Sequence, residues 1–179
     1  MKKKGFTLIE IVVVIGVIGF VLPALFAIIF GILQQQSRIY SLMEVKRQGD
    51  NALVTMENII KNNALKIYMD QLLTDANEVC VEGGQSYSPT FPNQDAFYFK
   101  DKRGAYFRFY LSVDKISSDS ALSPADLTNS KVIVSEFAIR CDRLADYSTP
   151  LVSVSFTVNN RPTGQYPMNY YTKIKLKNY

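Results

Sequence analysis

Hydrophobic and polar positions divide the chain into three stretches of different period. The first is continuous: Leu8 and Ile9, then Ile11 to Leu33 without a charge, broken only by Glu10 near its start. About 20 apolar residues suffice to span a bilayer as a helix, so this run predicts a membrane helix. From Gln34 polar residues interleave, and Leu42, Leu53, Met56, Ile60, Ala64 and Ile67 fall at spacings that fit one helical face. Arg38, Glu44, Lys46, Arg47, Asp50, Glu57 and Lys61 lie off that face. The two stretches predict one continuous helix with an amphipathic second half. Asn62-Asn63 is its expected end, since neither residue favours a helix interior. The third stretch alternates with period two. Strands are expected at 97–100 and 105–113 around the turn signal Asp101-Lys102-Arg103-Gly104, and at 131–140, 151–158 and 170–177. Residues 83–93 and 117–129, rich in Ser, Pro, Asn and Gly, read as loops. The predicted fold class is α+β, a long N-terminal helix packed on an antiparallel β domain.

Charge changes the picture at the N-terminus. Lys2, Lys3 and Lys4 precede the apolar run, so the positive-inside rule places Met1 in the cytoplasm and the rest of the chain beyond Leu33 outside it. Without those lysines, 17 basic side chains nearly balance 16 acidic ones, which weakens a general affinity for nucleic acid. Glu10 is the expensive residue. An acidic group near the centre of a membrane helix costs about 2.5–3.5 kcal/mol, less near an interface. A carboxylate there needs a partner or a route to the interface by snorkelling, as in an ordinary signal anchor. A cleaved secretory signal would have a shorter apolar region and an A-x-A-like site, and neither is present.

The run Lys2 to Lys4, Gly5, Phe6, Thr7, Leu8, Ile9, Glu10 and the apolar helix after it resembles the N-terminus of type IV prepilins and pseudopilins. The resemblance implies cleavage between Gly5 and Phe6 by a prepilin peptidase, and N-methylation of the new terminus at Phe6. It implies segments 1–5 (leader), 6–33 (membrane and filament-core helix), 34–63 (amphipathic helix) and 64–179 (β domain). Its implied partners are other pilin or pseudopilin subunits and an assembly platform in the cytoplasmic membrane. It also implies that the helix can unwind between Gly19 and Pro23 in a filament, a plain proline kink being the other reading. The amine freed at Phe6 would be mostly charged at neutral pH and could pair with Glu10 of a neighbouring subunit, fixing axial register.

The later sequence is similar to J-type minor pseudopilins and W-type minor pilins. The similarity rests on Asn51-Ala52-Leu53 through Glu57 to Ile60, Leu127-Thr128, Pro150-Leu151-Val152-Ser153-Val154, and the run Tyr171 to Asn178. It implies a low-copy subunit that starts or caps a pilus or a type II secretion pseudopilus. The competing reading is a DNA-uptake pseudopilin whose β domain grips DNA through Lys100, Lys102, Arg103, Tyr106 and Arg108, or through Lys173, Lys175 and Lys177. A solvated strand face with edge lysines explains the same residues.

The chain has no histidine, which excludes imidazole metal sites and Ser-His-Asp or Cys-His catalysis. No metal or cofactor is implied, and no enzymatic activity is expected. The acid pairs Asp142 and Asp146, and Asp114 and Asp119, lie in or beside polar loop sequence, where solvated carboxylates are the rule. Cys80 and Cys141 both fall outside the cytoplasm, where oxidation permits a bridge; two free buried thiols are the alternative.

Overall fold

The structure, a computed structural model, describes residues 7–89, 97–120, 124–161 and 166–177. The leader residues with Gly5 and Phe6, and parts of both expected loops (90–93 and 121–123), lie outside the described residues. Helix α1 runs Leu8–Asn63 and ends at the Asn62-Asn63 pair. Contacts divide the chain into two compact units, 1–41 and 42–179.

In the first unit, residues 7–40 are all exposed, most of them apolar. This part of α1 is long and apolar enough to cross a membrane. Water is an unfavourable solvent for such a surface.

Among the described residues, the second unit contains the end of α1 and ten strands: β1 (Lys66–Tyr68), β2 (Glu78–Val79), β3 (Gln85–Tyr87), β4 (Tyr98–Lys100), β5 (Tyr106–Ser112), β6 (Lys115–Ser120), β7 (Ala125–Asp126), β8 (Val132–Arg143), β9 (Leu151–Asn160) and β10 (Met168–Lys175). They form two antiparallel sheets, ordered β2-β1-β4-β5-β6-β7 and β10-β9-β8-β3. The helix contributes Val45, Ala52, Met56 and Ile60 to a core shared with Phe97, just before β4, Phe99 and Phe109 from the first sheet, and Val154, Phe156 and Ile174 from the second.

The helix buries a face shifted from the expected one. Val45, Gln48, Gly49, Ala52, Met56 and Ile60 are buried, whereas Leu42 and Leu53 are only half-buried. Small residues carry the shift. The Tyr170 ring lies so close to Gly49 that a Cβ there would sit 2.2 Å from it. That ring stacks on Phe156 at 5.1 Å, and its hydroxyl donates to the Lys46 carbonyl at 3.2 Å. Ile67, assigned to the helical face by spacing, belongs instead to β1, because α1 has already ended.

β1 lies where the helical face was extended, and β3, β6 and β7 lie wholly or partly in segments read as loop. In β6 the sequence Lys115-Ile116-Ser117-Ser118-Asp119-Ser120 has little apolar signal, yet it pairs with β5 from Ser112↔Lys115 to Phe107↔Ser120. Ile116 alone anchors it in the core, and Ser117 donates to Asp126 Oδ1 at 2.7 Å. Likewise β3, inside the expected 83–93 loop, pairs with only three residues of β8.

The inward phase of β8 changes midway. Val132 and Val134 face the core, as alternation predicts, but Ile139 and Cys141 do so further along. A bulge between Ser135 and Ala138, with Glu136 at φ 54°, inserts the extra residue that flips the phase. Glu136 is thereby exposed, and its carboxylate accepts from the Thr157 hydroxyl at 2.9 Å.

A polar contact joins α1 to the segment before β8. Glu44 Oε1 accepts from Asn129 Nδ2 at 2.9 Å and Gln48 Nε2 at 3.1 Å, while Arg47 pairs with Oε2 at 2.7 Å. The Asn129 amide, then Arg47 and Gln48, hold the Glu44 carboxyl below its ordinary value of 4.5 against partial desolvation. A depressed folded-state value gives stability that is present above pH 4.5 and lost as pH falls through the folded value. Glu44→Gln should therefore lower the thermal midpoint at neutral pH, and the gap from the parent chain should close as pH falls below 4.5 and through the folded value. A gap independent of pH would show that the carboxylate charge does not contribute.

Candidate functional site

The start of α1 brings the costly carboxylate and its partner together. Thr7 precedes the first helical residue, Leu8, and Glu10 follows three positions later. The Thr7 backbone N–H and its hydroxyl both donate to Glu10 Oε2 at 2.9 Å. In return, Glu10 N–H donates to Thr7 Oγ1 at 3.4 Å. This is a reciprocal capping box, which satisfies orphan N–H groups at the helix start and places negative charge at the positive end of the helix dipole. Sequence reasoning singled out Glu10 but missed Thr7. The signal was present as Thr-x-x-Glu directly before an apolar run. Within a single chain, then, Glu10 already has a hydrogen-bonded setting.

Gly19 and Pro23 both lie inside α1, whose helical span continues through them. A Cβ at Gly16, Gly19 or Gly31 would meet nothing within 4 Å, so packing within the chain does not require glycine at these positions. Gly5 and Phe6, the expected processing pair, lie outside the described residues.

Cys80 and Cys141 are joined in a disulfide, with their Cα atoms 6.4 Å apart and both side chains buried. Cys80 follows β2 of the first sheet and Cys141 belongs to β8 of the second, so the bridge ties the two sheets together.

The acid pairs are not brought into facing arrangements. Asp142 accepts from the Ser86 hydroxyl at 2.6 Å and from Arg140 at 2.9 Å, and these contacts, Ser86 foremost, hold its carboxyl below the usual range. Asp146 accepts from the Gly83 N–H. Asp114 pairs with Arg161, and Asp119 with Arg108 at 3.0 Å. Of the basic candidates, Arg108 lies between the Tyr98 and Tyr110 rings, at 5.1 and 4.8 Å, with its charge matched by Asp119. Lys173 sits 5.9 Å from the Tyr171 ring centroid.

Together these features define a class: an α+β protein with one long N-terminal helix, apolar and capped at its start, followed by an antiparallel β domain. Residues 1–22 match the family model described as the prokaryotic N-terminal methylation motif, so the chain carries a type IV prepilin-like N-terminus. No curated protein and no solved structure matches the chain. The motif and the apolar helix fit a membrane-anchored pilin-like structural subunit, processed by prepilin peptidase and assembled with other pilins.

Proposed function

We propose that the chain is a minor pilin or pseudopilin that initiates or caps a type II secretion pseudopilus or a type IV pilus. The observation that carries this reading is the methylation motif over residues 1–22, continued by an apolar helix and a two-sheet β domain. In this reading α1 anchors the precursor by a single pass, with its N-terminus in the cytoplasm and the β domain outside. Cleavage after Gly5 creates the amine at Phe6, and that amine pairs with Glu10 of a neighbour. Processing is then the licence for assembly, because the precursor has no amine at that place. In the filament, the stretch from Gly19 to Pro23 is where the helix unwinds to fit its neighbours.

The N-terminal mass of the protein from membranes containing its own peptidase tests the reading. The expected product lacks Met1 to Gly5 and carries one methyl on Phe6. An intact leader would leave a static signal anchor and remove the licence role. The DNA-uptake alternative is weakened at Arg108, whose charge is already matched by Asp119.

A further inference from the structure

The first sheet buries phenylalanine on one face and carries tyrosine on the other. In β4 and β5, Phe99, Phe107 and Phe109 are buried, while Tyr98, Tyr106 and Tyr110 alternate with them and are half-buried. Register sets Tyr98, Arg108 and Asp119 side by side on three neighbouring strands, with Tyr106 and Tyr110 on the same face of β5. Contacts join them into one surface. The Tyr98 and Tyr106 rings meet edge to face at 5.6 Å, and the Arg108 guanidinium lies 5.1 Å from the Tyr98 ring and 4.8 Å from the Tyr110 ring. Gln71, in the segment after β1, bonds Tyr106 at one end. Tyr106 and Tyr110 are four residues apart on a strand, about 13–14 Å, a span that a short oligosaccharide covers.

The polar groups of this surface hold one another and still have bonds to offer. Arg108 Nη1 donates to the Tyr98 hydroxyl at 2.8 Å, and Gln71 Nε2 donates to the Tyr106 hydroxyl at 3.0 Å. Each tyrosine oxygen accepts, so each keeps its own proton to donate. Arg108 makes both of its Asp119 contacts to Oδ2, at 3.2 and 3.0 Å, and Oδ1 remains able to accept. Among the described residues, no protein group takes these two protons or bonds Oδ1. Fixed donors and acceptors set among aromatic rings suit a sugar. Its hydroxyls meet the polar groups, and its weakly positive C–H groups meet the negative ring faces.

Charge narrows the ligand further. On this face Arg108 is matched by Asp119, Lys66 by Glu78 and Lys115 by Asp126. Lys100 has no carboxylate partner among the described residues, but a polyanion is held by several phosphate contacts, not by one. Stacking without net charge favours a neutral polymer. A short strand face is a straight strip, and an extended β-1,4-linked chain fits a straight strip better than a coiled α-linked one.

We propose that the face formed by Tyr98, Tyr106 and Tyr110 binds a neutral β-1,4-linked glycan strand of the envelope. The rings stack on the sugars, and the two tyrosine hydroxyls and Asp119 Oδ1 bond the sugar hydroxyls. The glycan chemistry stands apart from the pilin-like reading, whereas the envelope as its source rests on the β domain lying outside the membrane.

The test incubates detergent-solubilised full chain with cellulose, with peptide-stripped wall glycan from the same cells and with DNA-agarose, all at one moderate salt concentration. The expected result is retention on both glycans, displacement by soluble cellohexaose, and no retention on DNA. Tyr98→Ala with Tyr110→Ala should weaken retention about tenfold or more. Tyr98→Phe with Tyr106→Phe keeps the rings and removes both donors, and should weaken it about two- to tenfold per hydroxyl. This second variant decides the matter where the alanine variant loses its urea midpoint. Lys100→Glu should leave glycan retention unchanged. Retention on neither glycan, or retention indifferent to both tyrosine variants, would overturn the proposal, as would retention on DNA that Lys100→Glu abolishes. Retention on cellulose but not on wall glycan would overturn the envelope source. N-terminal mass of the chain from the same cells separates these failures from that of the pilin reading: a processed, methylated chain that binds no glycan loses this site alone.

Discussion

Removing the Cys80–Cys141 bridge should lower the unfolding free energy of the β domain by about 4 kcal/mol. The two cysteines are 61 residues apart, and in the chain-entropy model a loop of that length restricts the unfolded state by roughly this amount. Domains of this size have total stabilities of about 5–15 kcal/mol, so the bridge accounts for a large share. Its position makes the share plausible. It joins the segment after β2 to β8, and so couples two sheets that have no common strand. Both sulfurs are buried, so Cys80→Ala with Cys141→Ala is the cleaner variant; serine would add a buried hydroxyl in need of a partner. With no tryptophan and 11 tyrosines, tyrosine fluorescence in detergent-solubilised full chain is a suitable signal in urea. Reduction of the unaltered chain should shift the midpoint in the same direction as the double variant. A midpoint that moves with neither treatment would show that the sheets are held by the phenylalanine core alone.

The parts of this fold that were legible in the sequence are those with strong periodic signals. The apolar run, the helix end at Asn62-Asn63 and the alternation in β5 and β9 all rest on many residues that agree with one another. The parts that were not legible are short or mixed. β1 and β2 span three and two residues, too few for any period to show. β6 is held by pairing to β5 and by one isoleucine, so its serine-rich sequence reads as loop. The buried face of α1 was misplaced because Gly49, which is uninformative on a hydrophobicity scale, permits the close approach of Tyr170. In β8 a bulge reset the phase, and only the register with β9 reveals it. At the candidate site, Glu10 was conspicuous as a charge in an apolar run. Thr7 was not, since a threonine beside leucine draws no attention until the helix start is fixed.

That capping box bears on the assembly role proposed for Glu10. Glu10→Leu and Glu10→Gln should both leave processing and membrane insertion intact, and both should prevent entry into the filament. The two variants separate charge from capping. Glutamine at this position can still serve a capping box, whereas leucine cannot. Neither can neutralise an N-methylated amine on a neighbouring subunit. Breaking one partner of a buried pair costs about 3–5 kcal/mol, which corresponds to at least a hundredfold fall in subunit incorporation. Thr7→Ala is the converse case. It removes the cap, worth about 0.5–2 kcal/mol of helix stability, and leaves the charge, so incorporation should fall far less. The measurement is the amount of each chain in sheared filaments relative to that in membranes, beside the N-terminal mass of both fractions. If Glu10→Gln entered filaments like the parent chain while Glu10→Leu did not, the carboxylate would be acting through the helix start within its own chain. If Thr7→Ala failed as completely as Glu10→Leu, the same conclusion would hold. If both Glu10 variants failed and Thr7→Ala assembled, the charge would be the essential element. The Thr7–Glu10 contact would then be the resting state of a carboxylate that changes partners when the subunit leaves the membrane.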